Sequence, residues 1–373
     1  MNKSIKILVL ILPVLFLFSC KTTRDIDFDS IKLADKQASK ETKILYQRIR
    51  VIGKEGIAFG HEDATAYGIN WKDNGKQMKS DVKEITGKFP AIHGFDVGHI
   101  ELDRATNLDT VSFDLMRRHI KKIYRKGGII TFSWHLDNPV TNGDSWDTRA
   151  AVPQILKNGE EREKYELWIH RLSNFFKSLK DKEGNYIPVV FRPFHEMNGS
   201  WFWWGEGNVS AEDYKNLWRE TIVLLKENQV NNLLYAYSPN TVDSIEEFNK
   251  YYPGDEFVDI LGIDIYNHNG DKAFTENLKQ NLKILKNKAQ TSNKPYALTE
   301  SGNNKFGMNA QWGTEALYPG IKNSGIAWVL VWRNDGPDHY FASYKGDVAE
   351  EDFKTFEDLK EILFLKEISK INY

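Results

Sequence analysis

Two glutamates stand in polar runs at the ends of apolar segments: Glu196 in FRPFHEMNG (191–199) and Glu300 in ALTESG (297–302). Two carboxyl groups facing each other across a cleft can break an acetal. One protonates the departing oxygen and the other, with retention of configuration, traps the oxocarbenium-like centre, which calls for a separation of about 5–5.5 Å. Residues suited to support such a pair lie close by in sequence. Arg192 can pair with Glu300 and keep it ionised, because a neighbouring cation favours the charged form. Tyr266, in GIDIY (262–266), can donate to the same carboxylate, and His195 can hold a carboxylate or a hydroxyl. Glu196 needs the opposite treatment, a raised pKa that keeps it protonated until the proton is needed. Taken singly, either Glu reads equally well as a structural carboxylate paired with a base; their joint placement favours catalysis.

That placement depends on the elements carrying them. From Gly56 onward, β-rich apolar runs alternate with stretches of helical period, the pattern of a parallel sheet built from β-α units. The spacing predicts strands over 57–60, 91–96, 129–134, 187–191, 233–237, 260–265, 296–299 and 326–332. Helices are predicted over 76–86, 112–126, 161–180, 211–228, 246–251, 276–289, 314–323 and 351–363. Eight alternating pairs predict an α/β fold, a single (β/α)8 barrel, with Glu196 after the fourth strand and Glu300 at the end of the seventh. An open doubly wound sheet is the alternative, but no Gly-rich phosphate turn follows the first strand.

Every predicted strand ends in polar or aromatic groups: GHED (60–63), GFDVGH (94–99), SWHLDNP (133–139), YSPN (237–240), GIDIYNHN (262–269) and VWRND (331–335) join the two runs above. In a barrel these ends share one face. His61, Glu62, Asp63, Asp96, His99 and Asp137 are therefore expected as rim groups for hydroxyls, with Asn267 and His268 as weaker candidates. Trp146, Trp201 and Trp332 offer flat faces for sugar rings. Trp203 and Trp204 divide evenly between that role and the core. No HExxH spacing or Cys/His ligand set suggests a metal, and no cofactor is expected. Ser301 lacks the GxSxG elbow of a serine hydrolase.

The runs FRPFHEMNGSWFWW (191–204), SWHLDNP, GIDIY, TES (299–301) and VWRND together resemble glycoside hydrolase family 26, over residues of about 45 to 345. The resemblance implies a retaining mechanism, mostly on β-1,4-mannans, with smaller groups acting on mixed-linkage β-glucan or β-1,3-xylan. By that resemblance Glu196 is the acid/base and Glu300 the nucleophile. His195, Arg192, Tyr266 and Trp201 match active-centre residues, and His135, Trp146, Trp332 and Arg333 match sugar contacts. The competing class is a glycan-binding protein that kept the barrel and lost catalysis.

Composition agrees with a neutral partner. Fifty Lys and Arg against 52 Asp and Glu leave a formal charge of -2, which offers no basic field for nucleic acid. The single cysteine, Cys20, follows a basic start and an apolar stretch over 7–18, the layout of a secretory leader. LFSC (17–20) resembles a bacterial lipobox. The expected organisation is a lipoprotein signal peptide over 1–19, a lipidated Cys20 with a flexible tether over 20–40, and a catalytic barrel over 41–373. The expected location is the cell envelope of a Gram-negative-type bacterium, with the protein anchored to a membrane by lipid and acting as a monomer on mannan or manno-oligosaccharides.

Overall fold

The computed structural model describes residue 28, residues 30–75 and residues 77–371; the predicted leader and Cys20 lie outside these. Eight strands follow one another in parallel register: β1 (Ile57–Glu62), β2 (Ile92–Asp96), β3 (Ile129–Trp134), β4 (Val189–Pro193), β5 (Leu233–Tyr237), β6 (Ile260–Tyr266), β7 (Tyr296–Gly302) and β8 (Trp328–Val331). The last pairs back onto the first, with Ala58 opposite Trp328 and His61 opposite Val331, so the sheet closes into the expected barrel. A two-residue strand, Ile362–Leu363, adds to the start of β1.

Strand side chains alternate between two cores because the pleat has period two. Ala58, Ile92, Ile129, Val190, Leu234, Ile260, Ala297 and Trp328 fill the lower interior. Phe59, Phe95, Phe132, Phe191, Tyr235 and Leu298 pack outward under the helices. Above the apolar layer the inward positions turn polar, at Arg192, two residues on from Val190 on β4, and at Ser238, two residues on from the buried Ala236 and just past β5. This polar layer sits on an apolar floor and opens at the carboxyl end of the strands.

Helix Lys40–Glu55 has no counterpart among the predicted helices. Ser39 caps it by accepting from the Thr42 amide, and Leu45, Ile49 and Ile52 lie on one face by their i, i+4, i+7 spacing. That face closes the bottom of the barrel interior. The predicted tether needs correcting over its second half. Ile31, Ala34 and Ala38 are buried, the Ala34 amide donates to Asp259 at 2.7 Å, and the Ser39 amide donates to the Asn231 carbonyl at 2.8 Å. A few small apolar side chains with satisfied backbone groups are enough to dock this segment.

Candidate active site

Glu196 lies three residues past β4 in a left-handed backbone conformation, φ 54°, with Phe194 also left-handed at 48°. Non-glycine residues rarely adopt this region, at a cost of roughly 1–2 kcal/mol each. The surrounding bonds hold the turn in place. The Glu196 amide donates to the Ser238 carbonyl at 2.9 Å, Tyr214 Oη donates to the Phe194 carbonyl at 2.8 Å, and Trp204 Nε1 donates to the His195 carbonyl at 2.9 Å. Glu300 is aimed by a different device. Ile263 pairs with Leu298 but Asp264 pairs with Glu300, and on the other side Val329 and Val331 pair with Leu298 and Ser301. One extra residue is thus accommodated in β7, a β-bulge. Thr299 and Glu300 consequently both face the interior, although they are adjacent in sequence.

The two carboxyl groups have different surroundings. Glu300 is ion-paired through one oxygen with Arg192 Nη2 and accepts from Tyr266 Oη through the other. Arg192 Nη1 also donates to Asp264 at 2.7 Å, and Thr299 Oγ1 donates to the second Asp264 oxygen at 2.7 Å. Glu196 accepts only from neutral donors, Trp201 Nε1 and Asn240 Nδ2, each at 2.9 Å. Burial, reinforced by the Glu300 charge, pushes its carboxyl up to about 7, against the opposing pull of Asn240, Arg192 and Trp201.

Beside this pair, His135 Nδ1 bonds Asp96 at 2.7 Å. Burial opposes a charged ring, but Asp96 outweighs it and raises the His135 pKa. Asp96 is held below its usual range against its own burial by His135, Ser133 and the Gly98 amide. His195 stands edge-on to His135 at 4.6 Å and is kept neutral by burial and the Arg192 charge. Trp146, half exposed, stacks on His135 at 5.5 Å. Trp201 is 40% exposed and lies over Gly199, where a Cβ would come within 2.2 Å of the indole. A groove of about 650 Å³ runs past Glu196, Trp201, Tyr266, Trp332, His339 and Phe341.

Glycosyl hydrolase family 26 matches residues 34–319. The chain belongs to that family. It is 32% identical over 358 residues to a mannan endo-1,4-β-mannosidase of Bifidobacterium adolescentis, an alignment that takes in 88% of this chain and 35% of that protein, so it spans about a third of that relative. The structure resembles that of a family 26 β-mannanase from Bacteroides ovatus, with a TM-score of 0.86 and 42% identity, over 90% of this chain and 98% of the other. It also resembles the catalytic domain of an endo-β-1,4-mannanase from Bacillus sp. JAMB-750, with a TM-score of 0.84 and 33% identity, over 91% and 95% of the two chains.

Some expected site residues lie elsewhere. His61 is a correction. It shares the outward parity of Phe59 on β1, is 1% exposed, and sits behind the sheet with its pKa lowered to about 3 by burial. It lies across the wall from the groove because the pleat sends Gly60 and Glu62 inward instead. Arg333 is committed to Asp109 at 3.1 Å and Asp335 at 3.0 Å. Trp203 and Trp204 are fully buried core residues. Asp264 and Asn240 join the site from the GIDIY and YSPN runs, outside the residues expected from the sequence. For Asp264, its inward parity in GIDIY was the available signal; for Asn240, only the strand-end position was.

Proposed function

We propose that this chain hydrolyses β-1,4-mannosidic bonds in mannan, galactomannan or manno-oligosaccharides with retention of configuration, Glu300 acting as nucleophile and Glu196 as acid/base. The observation that carries the reading is the asymmetry of the two carboxyl groups. One has a guanidinium and a phenol hydroxyl on its oxygens, whereas the other has neutral donors and a pKa raised to about 7. In the first step Glu196 gives its proton to the glycosidic oxygen as Glu300 attacks the anomeric carbon, forming a glycosyl ester and releasing the distal chain. In the second, the ionised Glu196 takes a proton from water as that water displaces Glu300. A carboxyl poised near neutrality can serve in both steps.

Trp146, stacked on His135, and Trp201 and Trp332, which line the groove with Tyr266, offer ring faces against which pyranose units can stack. The names of the similar proteins support mannan as the substrate. The decisive experiment measures reducing-sugar release from mannan, galactomannan, lichenan and β-1,3-xylan by the wild type, Glu196→Ala and Glu300→Ala. Mannan cleavage that disappears in Glu300→Ala is expected, and an unchanged rate in that variant defeats the assignment. Early products from mannohexaose separate internal cleavage from release of mannobiose at chain ends. Lipidation of Cys20 is part of the same proposal and rests on the 1–20 sequence; radiolabelled palmitate should be incorporated by the wild type and not by Cys20→Ser.

A further inference from the structure

We propose that the face of the barrel opposite the groove is a docking surface for an anionic lipid bilayer, which orients the enzyme with its groove turned away from the membrane. The inference rests on the reading of the N-terminal stretch as a membrane anchor and adds to it a second, electrostatic contact.

At the amino-terminal end of the strands, a hollow of about 1270 Å³ lies between the segment around residues 30–36, helix Lys40–Glu55 and the turn before β7. Lys32, Lys36, Lys43, Arg50, Lys54 and Lys294 line it, against the acids Asp255 and Glu256. The chain as a whole has 50 basic and 52 acidic residues, so this excess of cations is local. Two of the six are partly committed: Arg50 donates to the Asn293 side chain at 2.9 Å, and Lys294 to the Val258 carbonyl at 2.7 Å. Asp255 is drawn toward Lys288 at 3.8 Å. Lys32, Lys36 and Lys54 are exposed on flexible stems, and Lys43 is half-buried.

Residues 1–27 join the described chain at Phe28, which packs on this same face beneath Lys40. Whatever that stretch is anchored to therefore meets this end of the barrel first. The cations are spread over three elements, and the buried Tyr46 hydroxyl beside them donates to the Asn293 carbonyl at 3.4 Å. That arrangement suits an extended anionic plane better than a discrete anion. Near an anionic membrane each Lys or Arg strengthens attraction by about fivefold, and the attraction falls off within a Debye length.

The test uses the full chain with vesicles of phosphatidylethanolamine and phosphatidylglycerol, or of phosphatidylcholine, and measures the rate at which an amine-reactive reagent acetylates each lysine. On anionic vesicles, Lys32, Lys36, Lys43 and Lys54 should be protected about fivefold or more relative to phosphatidylcholine. The protection should be lost at about 1 M salt, and Lys250 and Lys305, at the groove end, should remain reactive. Reversal of the four lysines to Glu should leave hydrolysis of soluble substrate unchanged, which verifies folding, and remove the preference for anionic vesicles. Equal reactivity on both vesicle types overturns the proposal, as does protection of the groove-end lysines. Protection by soluble poly-glutamate but not by vesicles also overturns it, in favour of an acidic protein partner. Loss of membrane attachment in Cys20→Ser reports on the anchor alone, so the two readings fail separately.

Discussion

Replacing Asn240 by Ala should move the alkaline limb of the kcat/KM profile upward. Asn240 Nδ2 donates to Glu196 at 2.9 Å, and a donor of this kind stabilises the charged carboxylate more than the neutral acid. A hydrogen bond to a charged group contributes roughly 1.5–3 kcal/mol, and one pKa unit corresponds to about 1.36 kcal/mol, so complete loss corresponds to roughly one to two units. Asn240 is only half-buried, so water will replace part of the bond, and a shift of about one unit is expected. The sign follows from the role. In the proposed mechanism Glu196 must be protonated to act on free substrate, so kcat/KM should fall as pH rises through its value of about 7; a higher pKa should extend activity to higher pH. Initial rates on a manno-oligosaccharide across the pH range measure the limb. A dinitrophenyl mannobioside, whose leaving group needs no proton, should show no such limb. A limb that stays in place or moves down in Asn240→Ala, or that persists with the activated substrate, refutes the assignment of Glu196.

Four further outcomes follow from the contacts. Tyr266→Phe removes a donor to Glu300 and should lower kcat by roughly tenfold to a hundredfold, with circular dichroism and Tm little changed; kcat within twofold of wild type would contradict that role. Gly199→Ala should push the Trp201 indole off its seat, reducing kcat/KM on oligosaccharides more than global stability measured by urea denaturation. Asp264→Ala leaves Arg192 without one of its two buried partners and should cost about 3–5 kcal/mol of stability, readable as a fall in the urea midpoint. Asp96→Asn breaks the pair with His135. The lowered Asp96 pKa contributes stability above its unfolded value of about 3.9, lost as pH falls through the folded value. The raised His135 pKa contributes below about 6.5, lost as pH rises through its folded value. The Tm difference between variant and wild type should therefore be largest between about pH 4 and 6.5, and a difference that is flat with pH would count against the ion pair.

The sequence by itself determined the eight-fold alternation, the face on which the polar strand ends meet, and the two glutamates, because burial on both sides of a parallel strand writes continuous apolar runs that end abruptly at the rim. Tertiary structure decided where individual side chains point. Counting by two from Ala297 puts Thr299 inward and Glu300 outward; only the bulge, set by pairing to both β6 and β8, brings Glu300 back to Arg192. The left-handed turn at Glu196 depends likewise on Ser238, Tyr214 and Trp204, which lie well along the chain from β4. His61 illustrates the reverse error, for a polar residue at a strand end reads as a rim group until the parity of its neighbours is known. The packing of residues 31–39 was similarly hidden, since a short polar segment docks by meeting Asp259 and Asn231, a match no local pattern records. Periodicity is a local property of the chain, whereas register and bulges are agreements between strands far apart in sequence, so the first could be read from the residues and the second only from the closed barrel.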